Sequence, residues 1–451
     1  MRLRTTCSVL LSACLLAWAA PHLSAEENEG GTAFASPKAF SRDVTAFWQS
    51  DGQDFMALCE VGRASRWQKT DTAGKEAIAK YSAYFSGMKI FGVPVEQLSL
   101  ELYAGKLCEV EIMFFNKGDT ASRMGFGSES TKSRGEKSNF AEALWDDCVA
   151  KVRRSLSELG KPRRGKIGSL KLRRSVEIWE NGTNAFLLDA EKNEFVRVLV
   201  VPQTELKKLT ASVTERAKGN LRENLVRRPN GDVLVGGIPM IDQGQKGYCV
   251  PATVERVLRY YGINELDMHK IAELANTNVG GGTTITGVVK GVGPVVKKNR
   301  LKFKTRRMQL AKIRQCVDKG IPMFWSMFAI PEYLNRLKAN TQARANCQDA
   351  AAWSEQLKKQ EPFTATREEM VREAHLCLII GYNLKTKEIC VSDSWGDYAA
   401  EQWISFEDAL YVSQKNVQLY SLENSRRPKA VEEASFGRRN LGFRLQFGAL
   451  N

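Results

Sequence analysis

The sequence predicts an α+β protein made of two successive domains. Its 451 residues exceed a single typical domain, since roughly 150 residues per domain suggests two or three. A hydrophobic fraction of 43% with 26% charged residues is typical of globular proteins and excludes collagen-like, coiled-coil and wholly disordered chains. Apolar residues with strand spacing alternate along the chain with apolar residues at helical spacing. The turn-forming cluster Arg227-Arg228-Pro229-Asn230-Gly231 predicts the boundary between the two domains.

The N-terminus predicts the compartment. Residues 1–25 begin with Arg2 and Arg4, continue through an apolar core and end in small residues at Ala25, which is the pattern of a secretory signal peptide. We therefore expect a secreted or periplasmic protein that is cleaved near Ala25. A lipoprotein anchored at Cys14 is the weaker alternative, because the apolar core continues past that cysteine. Cleavage lowers the formal charge from +15 to +13. The positive charge that remains favours an anionic surface or polymer as a partner.

The first domain is predicted to be an α+β unit without recognisable chemistry. A flexible start at residues 26–37 precedes it, and the domain itself spans residues 38–230. Its expected elements are helices within 40–60, 140–159 and 204–228, strands at 98–103, 107–115, 176–179, 185–189 and 195–201, and a mobile loop at 117–138. It has no histidine and no paired acids in a motif. Its role is unknown: we favour an independent binding or targeting module over a pro-segment that covers the second domain.

The second domain opens with a candidate nucleophile. A glycine-rich loop at 236–248 leads into an amphipathic helix that begins at Cys249, with Pro251 in its first turn. Unpaired N–H groups and the positive end of the helix dipole stabilise a thiolate at such a position. A small buried hydrophobic residue is the plainer interpretation of one cysteine at a helix start. Further residues are therefore needed to support catalysis.

Three side chains supply that support. The chain has three histidines, and His375 begins an apolar strand, which makes it the candidate base. Asp393 follows the next predicted strand, which would pair antiparallel with the first, and can orient the imidazole. Gln243 lies six residues before Cys249, where its amide can stabilise an oxyanion together with the Cys249 N–H. The sequence thus predicts a Cys–His–Asp triad with an oxyanion hole.

These motifs resemble those of the papain-like cysteine peptidases. The segments Cys249-Val-Pro-Ala-Thr and His375-Leu-Cys-Leu-Ile-Ile-Gly-Tyr-Asn, with Asp393 before Ser-Trp-Gly, are similar to the C-39-like branch, which contains bacterial leader-peptide peptidases. The resemblance covers residues 231–420 and leaves a basic tail at 421–451. It implies a papain-like domain, with a helix-borne cysteine and an antiparallel sheet, that hydrolyses a peptide bond in a peptide or protein through an acyl-enzyme. We expect no metal and no other cofactor.

Departures from the family pattern are visible in the same domain. Lys246 stands where papain-type enzymes carry a disulfide cysteine, and Val250 replaces the usual residue after the nucleophile. A long, charged and mostly helical insertion occupies residues 328–374, where it could form a lid, shape specificity or have no role in catalysis. The eight cysteines after residue 25 form no C-x-x-C pair, which excludes a zinc ribbon.

Two other functions stay open at this point. The same four groups would serve an amidase that cleaves cell-wall peptide, and a papain-like scaffold without activity could act as a binding or adhesion module. Residues 290–314 hold ten Lys or Arg and no acid. We interpret them as containing a solvated edge strand rather than a site for an acidic substrate. Nucleic acid is not expected as a partner, since no recognition module is present.

Overall fold

A computed structural model describes most of the chain. The described residues are 34–60, 67–71, 78–84, 88–123, 134–167, 173–210, 220–244, 246–279, 282–347, 349–414 and 417–425. The predicted signal peptide lies outside them, as does residue 426 onward of the predicted tail. Of the predicted flexible start, residues 34–37 are described, and Phe34 is buried there against Phe40. No helix in these stretches is long and apolar enough to cross a membrane.

The described residues form thirteen helices and eighteen strands. The helices are α1 Pro37–Thr45, α2 Gln53–Glu60, α3 Lys117–Arg123, α4 Arg134–Leu156, α5 Gln203–Thr210, α6 Cys249–Tyr260, α7 Met268–Leu274, α8 Ile285–Lys298, α9 Leu310–Val317, α10 Pro331–Asn346, α11 Ala350–Lys358, α12 Arg367–Met370 and α13 Phe406–Val412. The strands are β1 Gln68–Asp71, β2 Ile78–Tyr84, β3 Lys89–Ile90, β4 Val93–Pro94, β5 Gln97–Tyr103, β6 Lys106–Asn116, β7 Arg163–Ile167, β8 Arg174–Asn181, β9 Asn184–Glu191, β10 Phe195–Pro202, β11 Leu225–Arg227, β12 Asp232–Val235, β13 Leu301–Arg307, β14 Met323–Phe328, β15 Ala374–Asn383, β16 Glu388–Ser392, β17 Gln402–Ser405 and β18 Gln418–Asn424. They divide between two compact units, the first made mostly of residues up to 212 and the second mostly of residues after it.

The first unit is organised around an eight-stranded sheet in the order β1-β2-β5-β6-β10-β9-β8-β7. Alternate residues of its strands, such as Leu98, Ile112 and Val198, point to one face, as the period-two pattern predicted. Helices α1, α2 and α4 supply the other half of this core, including Phe40 and Val152. The predicted strands and the amphipathic helix within 140–159 are present.

The opposite face of this sheet carries buried charges. Asp189 accepts from Arg174 Nη2 at 2.5 Å and from Arg197 Nε at 2.9 Å, and Arg197 Nη1 also contacts Glu111 Oε1 at 3.3 Å. Burial and the negative charges of neighbouring glutamates raise the pKa of Glu109 on the same face to about 8. Asp189 and Glu111 are thus paired with arginines, as buried charges must be.

Two predictions for the first domain are wrong. Residues 117–123 form helix α3 rather than a loop, because Asn116 caps it by accepting the N–H of Asp119 at 2.8 Å. Of the long helix expected at 204–228, the structure describes α5 as far as Thr210, and residues 211–219 lie outside the described residues. Residues 225–227 form β11 instead, and their pairing with β12 joins this segment to the sheet of the second unit. Pairing between distant residues outweighs the local helical preference there.

The second unit contains a mixed helix-and-sheet fold around strand β15. Its sheet runs β11-β12-β15-β14-β18-β13, and β15 also pairs with β16, which in turn pairs with β17. Helix α6 lies against β15, where Thr253 Oγ1 donates to the Leu376 carbonyl at 3.2 Å. Strand β13 lies at the sheet edge, as the basic pattern predicted, and Glu423 on β18 pairs with Lys304 and Arg306. Part of the basic surface is thus neutralised.

The insertion at 328–374 connects two paired strands. Phe328 at the end of β14 lies opposite Ala374 at the start of β15, and the Ala329 N–H donates to the Glu373 carbonyl at 2.8 Å. Between these points the chain forms helices α10, α11 and α12. Arg344 of α10 contacts the carboxylate of Asp232 at the start of β12 and that of Glu388 at the start of β16. These buried ion pairs fasten α10 to the sheet.

Candidate active site

Cys249 is the first residue of helix α6. The preceding residue, Tyr248, makes no side-chain hydrogen bond to the first helical turn, so no side-chain cap at that position competes for the N–H groups there. The thiol is partly accessible, and Tyr248 behind it is buried, with its ring 5.9 Å from that of His269. His269 is a buried histidine of α7. Cys249 therefore combines solvent access with the positive end of a helix dipole.

His375 and Asp393 are in direct contact. His375 is the second residue of β15, and Asp393 follows the last residue of β16, its antiparallel neighbour, as predicted. The Nε2 atom of His375 lies 2.8 Å from Asp393 Oδ1 and 2.9 Å from Oδ2. The thiol of Cys249 lies close enough to the same imidazole to help raise its pKa. Because Nε2 is occupied by the carboxylate, Nδ1 is the nitrogen left to face the thiol.

The contacts of His375 favour its charged form. Burial lowers the pKa of the imidazole, but the negative charges and hydrogen bonds of Asp393 and Cys249 outweigh burial and raise the pKa to about 10. Since this value exceeds the ordinary 6.5, the imidazolium stabilises the folded protein fully below about pH 6.5. That contribution is lost as the pH rises through about 10. At neutral pH the ring therefore carries both protons.

Gln243 is fixed by the residue after Asp393. The hydroxyl of Ser394 donates to Gln243 Oε1 at 2.8 Å, and the Gln243 N–H donates to the Ser394 carbonyl at 2.8 Å. The Gln243 Nε2 atom donates to the carbonyl of Lys246 at 3.3 Å, which uses one of its two protons. The second N–H is thus available to another acceptor. The Lys246 side chain is buried, on the loop before Cys249.

The structure brings the predicted residues to one place. Asp393 is hydrogen-bonded to His375, Cys249 lies beside the same imidazole, and Gln243 is tied to the residue next to Asp393. A thiol, an imidazolium and an orienting carboxylate are the groups that nucleophilic acyl transfer requires.

Residues 235–418 match the model of the Peptidase_C39 like family. This match confirms the resemblance drawn from the motifs, and it covers the helix that carries Cys249 and both strands of the His375–Asp393 pair. A solved structure from Bacillus anthracis, described as a candidate C39-like peptidase, aligns with 16% identity over 44% of this chain and 98% of its own, with a TM-score of 0.27. A search of curated proteins finds no match.

The C39-like region contains further residues that the sequence analysis did not assign to the site. Trp395 stacks on His375, with ring centroids 4.5 Å apart at 28°. Its position two residues after Asp393 could have indicated this contact. Ser394 holds Gln243, and Arg256 binds the main chain at Asp393. Arg256 follows Cys249 by seven residues, so it lies on the same side of the helix two turns later, a spacing that could have indicated its role.

Replacing Asp393 with asparagine is expected to lower the pKa of His375. The change removes the negative charge that raises the pKa of the buried imidazole but keeps a carbonyl oxygen that can accept from Nε2. We expect a decrease of about 2 pH units, in the range of a single close charge. An NMR titration can measure it, because the chain has three histidines.

The matched control for this titration is Asp397→Asn. Asp397 is exposed and lies in the short helical turn Asp397–Ala399 after Trp395. We expect the His375 titration to be the same as in the parent protein. An unchanged His375 pKa in Asp393→Asn would contradict the assigned role of the carboxylate.

Proposed function

We propose that the protein is a secreted or periplasmic cysteine peptidase whose C39-like region has the papain-like arrangement of catalytic groups. The observation that carries the proposal is the hydrogen-bonded pair Asp393–His375, with Cys249 beside the imidazole at the start of α6. The charged state of the imidazole supports it further, because a neighbouring imidazolium stabilises a thiolate.

In the proposed reaction the Cys249 thiolate attacks the carbonyl carbon of a peptide bond. The carbonyl oxygen becomes an oxyanion, for which the Cys249 N–H and the second N–H of Gln243 Nε2 are the proposed donors. The His375 imidazolium then donates its proton to the leaving amine as the C–N bond breaks. A thioester between Cys249 and the acyl half of the substrate remains.

Water completes the proposed cycle. His375, now neutral, takes a proton from a water molecule, whose oxygen attacks the thioester carbonyl. The C–S bond breaks, the carboxylic acid product leaves, and the thiolate and imidazolium are restored. Asp393 accepts from Nε2 throughout, so the imidazole keeps one orientation while the other ring nitrogen exchanges the proton.

We expect Cys249 to react with iodoacetamide faster than the other described cysteines. Burial raises the pKa of the Cys108 thiol to about 12 and raises the pKa of Cys377 and Cys390 well above the usual value. Those thiols stay protonated at neutral pH. Cys347, partly accessible and outside the site, is the internal reference.

The measurement is peptide mass spectrometry after brief labelling at pH 6. Labelling of Cys249 should exceed that of Cys347 by about tenfold or more, because low pH suppresses an ordinary thiol but not one paired with an imidazolium. Equal or slower labelling of Cys249 would contradict the proposal.

A further inference from the structure

Arg256 is a buried cation two helical turns beyond the candidate nucleophile. It belongs to α6, and its side chain is 1% exposed. Most arginines are exposed, since a charge is costly to bury without partners. The residues that contact this guanidinium therefore indicate why it is inside.

Every hydrogen bond of Arg256 goes to main-chain carbonyls or a hydroxyl. Nε donates to the Pro239 carbonyl at 2.9 Å, and Nη1 donates to the carbonyls of Asp393 at 2.7 Å and Ser392 at 3.3 Å. Nη2 donates to Ser392 Oγ at 2.6 Å. The rigid fork of a guanidinium can hold several acceptors in a fixed geometry, which a lysine cannot do.

These acceptors belong to the two stretches that carry the other site residues. Residues 392–394 form a short segment in which Ser392 binds Arg256, Asp393 binds His375 and Ser394 binds Gln243. Pro239 lies on the stretch that leads to Gln243. Arg256 thus ties both stretches to the helix that begins with the nucleophile.

The charges around Arg256 are consistent with a role beyond packing. Burial lowers its pKa to about 10, while the negative charge of Asp393 acts in the opposite direction, so the guanidinium is charged at neutral pH. The other titratable group that influences it is the thiol of Cys377 on β15. The titratable groups that face His375 are Asp393 and Cys249.

We propose that Arg256 is a positioning residue of the active site, which acts on the Cys249–His375 pair by fixing the main chain that carries the Asp393 carboxylate. The proposal rests on the proposed function, because it assumes that this pair performs the chemistry. It assigns to Arg256 a role in the ionisation of the pair, and not only in the stability of the domain.

The test compares the pH dependence of Cys249 labelling by iodoacetamide in the parent protein and in Arg256→Met. Methionine cannot hydrogen-bond the main chain of Asp393, so the Asp393 carboxylate is less well positioned against His375. The imidazolium is then less stable, and the Cys249 thiolate forms at higher pH. We expect the midpoint of labelling to rise by about 1 pH unit, which means about tenfold slower labelling below the midpoint. Above the midpoint the two rates should converge, a result that lower stability alone would not produce.

Two further variants guard against a folding defect and separate charge from geometry. Ser392→Ala removes one acceptor of Arg256 and should also raise the labelling midpoint, by a smaller amount. This variant tests the inference even if Arg256→Met does not fold. Arg256→Lys keeps the charge but not the planar guanidinium. Its labelling midpoint should therefore stay raised, closer to that of Arg256→Met than to that of the parent protein. Full recovery in Arg256→Lys would show that charge alone suffices and would overturn the positioning role.

The matched control is Arg259→Met. Arg259 is a buried arginine of the same helix, and its Nε donates to Glu255 Oε1 at 2.7 Å. We expect a normal labelling midpoint in this variant. If the parent protein shows fast labelling that depends on His375, but Arg256→Met and Ser392→Ala both keep the normal midpoint, the inference is wrong while the proposed function stands. If parental Cys249 labels no faster than Cys347, the proposed function fails, and the inference with it.

Discussion

Replacing Cys249 with alanine is expected to abolish peptide hydrolysis. Alanine cannot form the thioester, and Cys249 is the thiol that acts on the pKa of His375. Loss of a triad nucleophile lowers the rate by about 10⁴-fold or more, which leaves only the residual effect of binding and oxyanion stabilisation. The measurement is cleavage of a mixed peptide library followed by mass spectrometry. Serine at this position should be nearly as inactive, because its hydroxyl does not ionise beside an imidazolium.

Cys347→Ser is the control for that experiment. Cys347 follows α10 in the insertion, and its thiol contacts the carbonyl of Asp349. We expect unchanged cleavage in this variant. Cleavage that persists in Cys249→Ala at the parental rate would assign the activity to another residue or to a contaminant, and the proposed mechanism would be discarded.

Replacing Arg344 with methionine is expected to cause a large loss of stability. Arg344 Nε contacts Glu388 Oε2 at 2.8 Å, Nη1 contacts Asp232 Oδ2 at 2.9 Å, and the guanidinium lies over the Trp403 ring at 4.0 Å. Both carboxylates are fully buried. The substitution leaves them without this cation, which costs about 3–5 kcal/mol of unfolding free energy. Arg228 approaches Asp232 only to 3.9 Å and compensates little.

Urea unfolding would measure this loss, with Arg314→Met as the control. Arg314 contacts Asp318 at 3.5 Å, and both side chains are substantially exposed. Exposed pairs contribute about 0–1 kcal/mol, so the control should differ little from the parent protein. Equal effects of the two substitutions would show that Arg344 does not fasten the insertion to the sheet.

The candidate site could be predicted from the sequence because its residues are unusual for their surroundings. A histidine at the start of an apolar strand stands out in a chain with three histidines, and Cys249 follows a glycine-rich loop. Pairing of Leu378 with Ser392 then brings Asp393, the residue after β16, to the end of β15 that carries His375. The strands of the first unit were predictable for a different reason: a sheet with one apolar face imposes a period of two on the sequence.

The features that sequence reasoning missed depend on contacts between distant segments. Arg256 lies in a helix buried on all sides, where the apolar stripe alone does not indicate what a polar residue contacts. Helix α3 depends on the cap at Asn116, in a stretch without apolar periodicity. Strand β11 forms because β12 offers it an edge. In each case the deciding partner comes from another part of the structure or from a polar contact that hydrophobic patterning does not record.

The adjoining ends of the insertion have a consequence for how this region can vary. The chain leaves the sheet after Phe328 and returns at Ala374, which lies directly opposite. The segment between them is therefore an insertion whose two ends are adjacent. Its length is independent of the pairing that sets the position of His375, and each doubling of a flexible loop costs only about 0.6 kcal/mol in closure entropy. A shortened protein could therefore keep the strand pairing that positions His375, provided that Asp232 and Glu388 are replaced together with the arginine that neutralises them.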